Sequence, residues 1–117
     1  MTNRGAQAEQ LAATFLQHQG LKLLHSNYRC RFGEIDLIMQ DGATLVFAEV
    51  RLRGRNTFVC AAASITVTKQ GRLVRTAQHY LSTLDSMPPC RFDVVLFDAL
   101  DTTNPEWIRN AFTTRMG

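Results

Sequence analysis

Apolar residues recur at helical spacing near the start of the chain. Ala8, Leu11, Ala12 and Phe15 fall on one face, which predicts a helix capped by Thr2 or Asn3 and running to about His18. Glu9 lies at the edge of that face, on the flank with Ala12, Ala13 and Leu16. Gly20 stands where a helix C-terminal cap belongs. The period then shortens. Leu21 to Tyr28 reads as a strand, and Glu34 to Met39 as a second, more apolar one. Asp41-Gly42 is a turn signal, and Thr44 to Leu52, rich in Val, Leu and Phe, is a third strand that forms an antiparallel hairpin with the second.

Helical spacing returns after a loop over Arg53 to Ile65. Thr66 or Thr68 caps a second helix lasting to about Leu84, with Leu73, Val74, Ala77, Leu81 and Leu84 as its buried stripe. Met87-Pro88-Pro89 ends it. Phe92 to Ala99 is a further strand, Asp101 to Pro105 a turn, and Glu106 to Phe112 a short edge strand. The order helix, three strands, helix, strand, short strand describes one α/β domain over residues 1–117, a mixed sheet flanked by helices.

Against this pattern the acids of the hairpin stand out. Strict alternation puts Glu34 and Asp36 on the face of Ile38, and Glu49 and Arg51 on the face of Leu45 and Phe47. A two-residue loop at Asp41-Gly42 and a four-residue loop both keep Asp36 and Glu49 on one face, and the four-residue loop sets them directly opposite. A three-residue loop would flip one strand relative to the other. Opposed carboxylates on apolar strands repel, and burying them unpaired is costly. A divalent cation such as Mg²⁺, which takes one or two carboxylates together with water and phosphate oxygen, removes both costs. The plainer reading ties these acids to Arg51, Arg29 or Arg31 as hairpin ion pairs. Arg51, two residues past Glu49, is placed to contact a phosphate. Glu9 reaches the same place if the first helix packs on the carboxylate side, and Lys69 and Gln70 open the second helix, whose N-terminus suits an anion. Asp93 follows Arg91 on one face, so a local ion pair accounts for it, and Asp98 is left out of the site with it.

Composition narrows the partner. The 117 residues are 45% hydrophobic and 20% charged, ordinary for a globular chain, with 13 Lys+Arg against 10 Asp+Glu for a net charge of +3. That balance is only mildly basic, but between Val50 and Leu84 there is no acid, while Arg51, Arg53, Arg55, Lys69, Arg72 and Arg75 all fall there. A block of one sign attracts phosphates, although a solvated surface explains it too. Cys30, Cys60 and Cys90 form no CxxC pair, and His18, His25 and His79 are scattered, so neither a disulfide framework nor a zinc site is expected. The glycines are dispersed and make no phosphate loop. The first residues lack the apolar run of a signal peptide and no stretch approaches membrane-spanning length, which together with reduced thiols leads to the expectation of a cytosolic protein with no membrane partner.

The run Gly33-Glu34-Ile35-Asp36-Leu37-Ile38 followed by Leu45-Val46-Phe47-Ala48-Glu49-Val50-Arg51 resembles the YraN-like family of bacterial proteins. The likeness extends to Ala8-Glu9, Ala62, Ala63, Lys69, Ala77, Leu81, Arg91-Phe92-Asp93-Val94-Val95 and Asn110-Ala111-Phe112, nearly the whole chain. That family is similar to the Holliday-junction resolvases of the restriction-endonuclease-like superfamily. The resemblance implies that fold, a Mg²⁺ or Mn²⁺ site, an endonuclease acting on DNA, branched DNA included, and paired active sites in a homodimer. It carries an acid onto Asp36 and another onto Glu49, and the helical acid of the resolvases onto Glu9; Glu34, on the same strand as Asp36, is the further acid expected to assist. Arg51 stands where most of the superfamily has Lys. A guanidinium stays protonated and cannot act as a base, whereas it can hold a phosphate through two hydrogen bonds. Arg53, Arg55, Lys69, Gln70 and Arg72 are the expected contacts to the nucleic-acid backbone. The alternative is a nucleic-acid-binding module that keeps the nuclease scaffold without cutting.

Overall fold

The computed structural model describes residues 4–52, 65–98 and 105–112. The elements are α1 (Arg4–His18), β1 (Lys22–Cys30), β2 (Gly33–Asp41), β3 (Thr44–Leu52), α2 (Val67–Leu81), β4 (Cys90–Phe97) and β5 (Glu106–Phe112). Each segment expected to be a helix or a strand is one. The sheet runs in the order β1-β2-β3-β4-β5. Its neighbours are antiparallel except for β3 and β4, which α2 joins as parallel strands. This is the mixed α/β sheet with two helices expected of a restriction-endonuclease-like fold.

Local chemistry explains the helix ends. At the end of α1, Gly20 adopts a φ of +98°, and the N–H groups of Gly20 and Leu21 bond the carbonyls of Gln17 and Leu16. That left-handed glycine cap closes the helix and drops Leu21 into the core. Thr66 caps α2 by accepting from the Lys69 N–H at 3.2 Å. α2 ends at Leu81, short of the expected Leu84, because Ser82 and Thr83 turn their hydroxyls back onto the carbonyls of His79 and Tyr80. The expected cap at Thr2 or Asn3 and residues 53–64 of the loop expected over Arg53 to Ile65 lie outside the described residues.

The sheet separates two apolar layers. On one face α2 packs through Leu73, Ala77, Tyr80 and Leu81 against Ile35, Ile38, Phe47, Phe92 and Val94. On the other, Ala8, Ala12, Ala13 and Leu16 of α1 pack against Leu37, Met39, Val46, Ala48 and Val95. The expected α1 stripe needs correction: Leu11 is exposed at 38%, while Ala13 and Leu16 are buried. The buried face is rotated toward the flank that carries Glu9, since small Ala side chains let that flank approach the sheet.

Two details of β2 also differ from expectation. Asp41 pairs with Thr44, so the hairpin turn is Gly42-Ala43 rather than Asp41-Gly42, and the register is the one that places Leu37 opposite Ala48 and Ile38 opposite Phe47. Strict alternation, which would have kept Asp36 with Ile38, fails: Ile35 and Ile38 pack in the same layer, while Leu37 and Met39 pack in the other. The break in the pleat falls at Asp36.

Candidate functional site

The ladder between β2 and β3 stops at Leu37↔Ala48. The next rung in the frame would join Asp36 to Glu49. There the Asp36 carboxylate takes over from the backbone: its Oδ2 accepts the Val50 N–H at 2.8 Å. On the other side, Asn27 of β1 falls opposite Asp36, between the pairs Ser26↔Leu37 and Tyr28↔Ile35, and holds a φ of +54°. Asn tolerates that left-handed conformation better than most residues. Irregular backbone on two strands thus surrounds one carboxylate, the kind of local strain that clusters at functional sites.

Three acids converge there. Carboxylate oxygens of Glu9, Glu34 and Asp36 all lie within 4.8 Å of one another. α1 brings Glu9 and β2 brings the other two. Glu49 reaches Asp36 from β3, and its side chain is only 9% exposed. Burial, then the Asp36 charge, pushes the Glu49 carboxyl up to about 7, against the pull of Lys69 and Arg51. The same two causes, burial before the Asp36 charge, raise Glu9, and a hydrogen bond from Asn27 opposes them. Glu34 is more exposed and is bonded by Arg29 Nε.

The cations are distributed unevenly. Lys69 Nζ lies 3.2 Å from Glu49 Oε1, and Arg51 Nε lies 3.8 Å from the same atom. Arg51 Nε is buried without a hydrogen-bond partner among the described residues. The ion-pair partners suggested for the hairpin acids therefore divide: Arg29 takes Glu34, Arg51 stands near Glu49, and Lys69 is closer to Glu49 than either. Expected as a contact along the nucleic-acid backbone, Lys69 instead faces the site's most buried glutamate. Its signal in the sequence is its place in the first turn of the helix that follows β3 along the chain. Gln70 does not point outward either; its amide Nε2 bonds the Ile65 carbonyl at 3.1 Å and ties the chain before α2 to the helix. Arg72 is exposed on α2. Arg53 and Arg55 lie outside the described residues.

Asp93 behaves as its neighbour Arg91 suggested. It is 1% exposed, and it accepts from Arg91 Nε at 3.1 Å, Trp107 Nε1 at 3.0 Å and the Asn110 N–H at 2.9 Å. These bonds fasten β5 to β4 and leave this carboxylate no part in the cluster. Cys30 and Cys90 are free thiols. No helix among the described residues is long and apolar enough to cross a membrane.

The four acids suit a hard divalent cation. Oxygen-only donors of this kind are the ligands that Mg²⁺ and Mn²⁺ prefer, and a cation offsets both the burial and the Asp36 charge that raise Glu49 and Glu9.

Comparison with known proteins covers most of the chain. The model of the uncharacterised protein family UPF0102 matches residues 8–97. A UPF0102 protein of Nitrosomonas europaea is 59% identical over 110 residues, covering 94% of this chain and 93% of that protein. One from Cupriavidus metallidurans is 59% identical over 112 residues, 95% of this chain and 81% of that protein. One from Methylobacillus flagellatus is 50% identical over 113 residues, 97% of this chain and 99% of that protein.

Proposed function

The chain belongs to the uncharacterised protein family UPF0102, and from its site we propose that it is a metal-dependent endonuclease acting on DNA. The observation that carries this reading is the meeting of Glu9, Glu34 and Asp36 within 4.8 Å beside the buried Glu49, with two cations at its rim. Like charges gathered at a break in a sheet cost stability, and a bound cation is the chemistry that makes the gathering favourable.

In this reading Asp36, Glu9 and Glu34 hold Mg²⁺ or Mn²⁺, with Glu49 completing the set when it loses its proton. When bound, the ion lowers the pKa of its water and neutralises charge developing on phosphorus. The chain's own groups do the rest. The Val50 N–H orients the Asp36 carboxylate. Lys69, against Glu49 Oε1, favours the charged form of that glutamate. The Arg51 guanidinium, whose side chain is partly exposed beside Glu49, offers its outer N–H groups to a phosphate oxygen. Arg72 on the exposed side of α2 extends the positive surface away from the carboxylates.

Arg51 itself favours a second reading, a DNA-binding module that does not cut, because a guanidinium cannot serve as the base. One assay separates the two. Purified protein is incubated with labelled four-way junction, flap, single-stranded and linear DNA, with Mn²⁺ or with EDTA, beside the Asp36→Ala/Glu49→Ala double variant. Cutting that needs metal and is lost in the double variant is expected. Salt-sensitive binding without cutting in either protein would instead support the binding module, and absence of both binding and cutting would remove a role on DNA.

A further inference from the structure

The turn between β1 and β2 rests on α2, next to the carboxylates. Gly33, with a φ of +151°, lies so close to the helix that a Cβ on it would meet Thr76 Oγ1 at 3.2 Å and the Arg72 Cβ at 3.7 Å. The preceding residue, Phe32, sets its ring edge-on to His79 with centroids 6.4 Å apart. Tyr28 fixes that imidazole through a 2.6 Å bond between its hydroxyl and His79 Nδ1. The Arg31 guanidinium lies 4.8 Å from the centre of the Phe32 ring. The result is a half-buried aromatic platform with a cation upon it.

A line of positive charge leads to this platform from the site. Lys69 and Arg72 follow one flank of α2 toward His79, with Arg75 beside them, and the helix carries no acid. From Lys69 to His79 the helix rises roughly 15 Å. In the turn that leads into β2, Phe32 stands two residues before Glu34 and four before Asp36. Glu34, the acid beside the turn, is held by Arg29.

We propose that this surface, made of Arg31, Phe32, Arg72, Arg75 and His79, binds a single-stranded segment of DNA that leaves the metal site, with an unpaired base stacked on Phe32. The guanidinium groups of Arg31, Arg72 and Arg75 suit the backbone, and a ring face can take a base only where that base is free of its partner and neighbours. Duplex DNA hides the faces of its bases, so the surface selects substrates with a single-stranded tail, flap or open branch adjoining the cut. This rests on the proposed action on DNA and specifies the substrate class.

The test is fluorescence anisotropy in EDTA with a fluorescein-labelled blunt duplex and the same duplex bearing a single-stranded tail. The tailed form is expected to bind about tenfold more tightly, the scale of one base–aromatic stack. Phe32→Leu is expected to abolish the preference and Phe32→Trp to keep it. In wild-type protein, 2-aminopurine within the tail is expected to change its fluorescence on binding, a readout that needs no substitution. Equal binding of the two probes, a preference unchanged in Phe32→Leu, or a silent 2-aminopurine would overturn the proposal. Metal-dependent cutting of blunt duplex as fast as tailed duplex would overturn it while leaving the nuclease reading intact, and binding of neither probe would remove both.

Discussion

Asp36 Oδ2 accepts the Val50 N–H at 2.8 Å, so one side chain fills the rung where the backbones of β2 and β3 part. The bond holds the carboxylate at the end of the ladder, where Glu9, Glu34 and Glu49 also arrive. The position thus carries a structural task that needs an acceptor and an electrostatic one that needs a charge, and substitution separates them.

Asp36→Asn keeps an acceptor and removes the charge. Without metal it is expected to melt at or above the wild-type temperature, since repulsion toward Glu49 and Glu9 disappears. Asp36→Ala leaves the Val50 N–H unpaired at a cost of about 1–3 kcal/mol and is expected to melt below Asp36→Asn. Wild-type protein is expected to gain stability from added Mg²⁺ or Mn²⁺ and neither variant to do so. Calorimetry with and without metal checks all three; equal metal stabilisation of wild type and Asp36→Asn would remove Asp36 from the metal site.

Glu49 makes stability depend on pH. Its folded pKa of about 7 stands above the ordinary 4.5, so the folded state holds the proton more tightly. The associated stability is full below about pH 4.5 and is lost as pH rises through 7, on the order of 3 kcal/mol in all. Metal-free protein is expected to melt progressively lower between pH 5 and 8, and Glu49→Gln to flatten that slope. Melting curves across this range decide it; an unchanged slope in Glu49→Gln would assign the dependence to another group.

Lys69 and Arg51 are expected to differ in rank. Both lower the Glu49 pKa, Lys69 more, in keeping with distances of 3.2 Å and 3.8 Å. Lys69→Ala is expected to raise the Glu49 pKa further than Arg51→Ala, read by carbon NMR of the glutamate carboxyl against pH. If the protein cuts DNA, losing Lys69 is expected to slow cleavage most at low pH, where Glu49 then keeps its proton.

Asp93 provides the contrast. Asp93→Ala leaves the donors of Arg91, Trp107 and Asn110 without their shared acceptor, at a cost of about 3–5 kcal/mol. A large fall in melting temperature with metal affinity retained at low temperature is expected, measured by calorimetric titration. Loss of metal binding in the folded variant would tie Asp93 to the site.

Much of the fold was legible in the chain because it rests on local patterns. Apolar runs on either side of a turn signal marked β2 and β3, Thr66 and Gly20 marked helix ends, and the charge pattern marked Asp36 and Glu49 as acids out of place on apolar strands. Other features are decided between elements. Which flank of α1 is buried follows from how closely Ala12 and Ala13 let it approach the sheet, and this leaves Leu11 exposed while turning Glu9 inward. The break in the pleat at Asp36 follows from the loss of a rung to β3 and the left-handed Asn27 in β1. Lys69 meets Glu49 only because α2 packs back against the sheet that carries β3, a docking that no periodicity describes. The sequence by itself determined which residues carry charge and which elements carry them, since propensity and periodicity act over a few residues; tertiary packing alone decided which charges meet, since that depends on register and helix docking between residues distant along the chain.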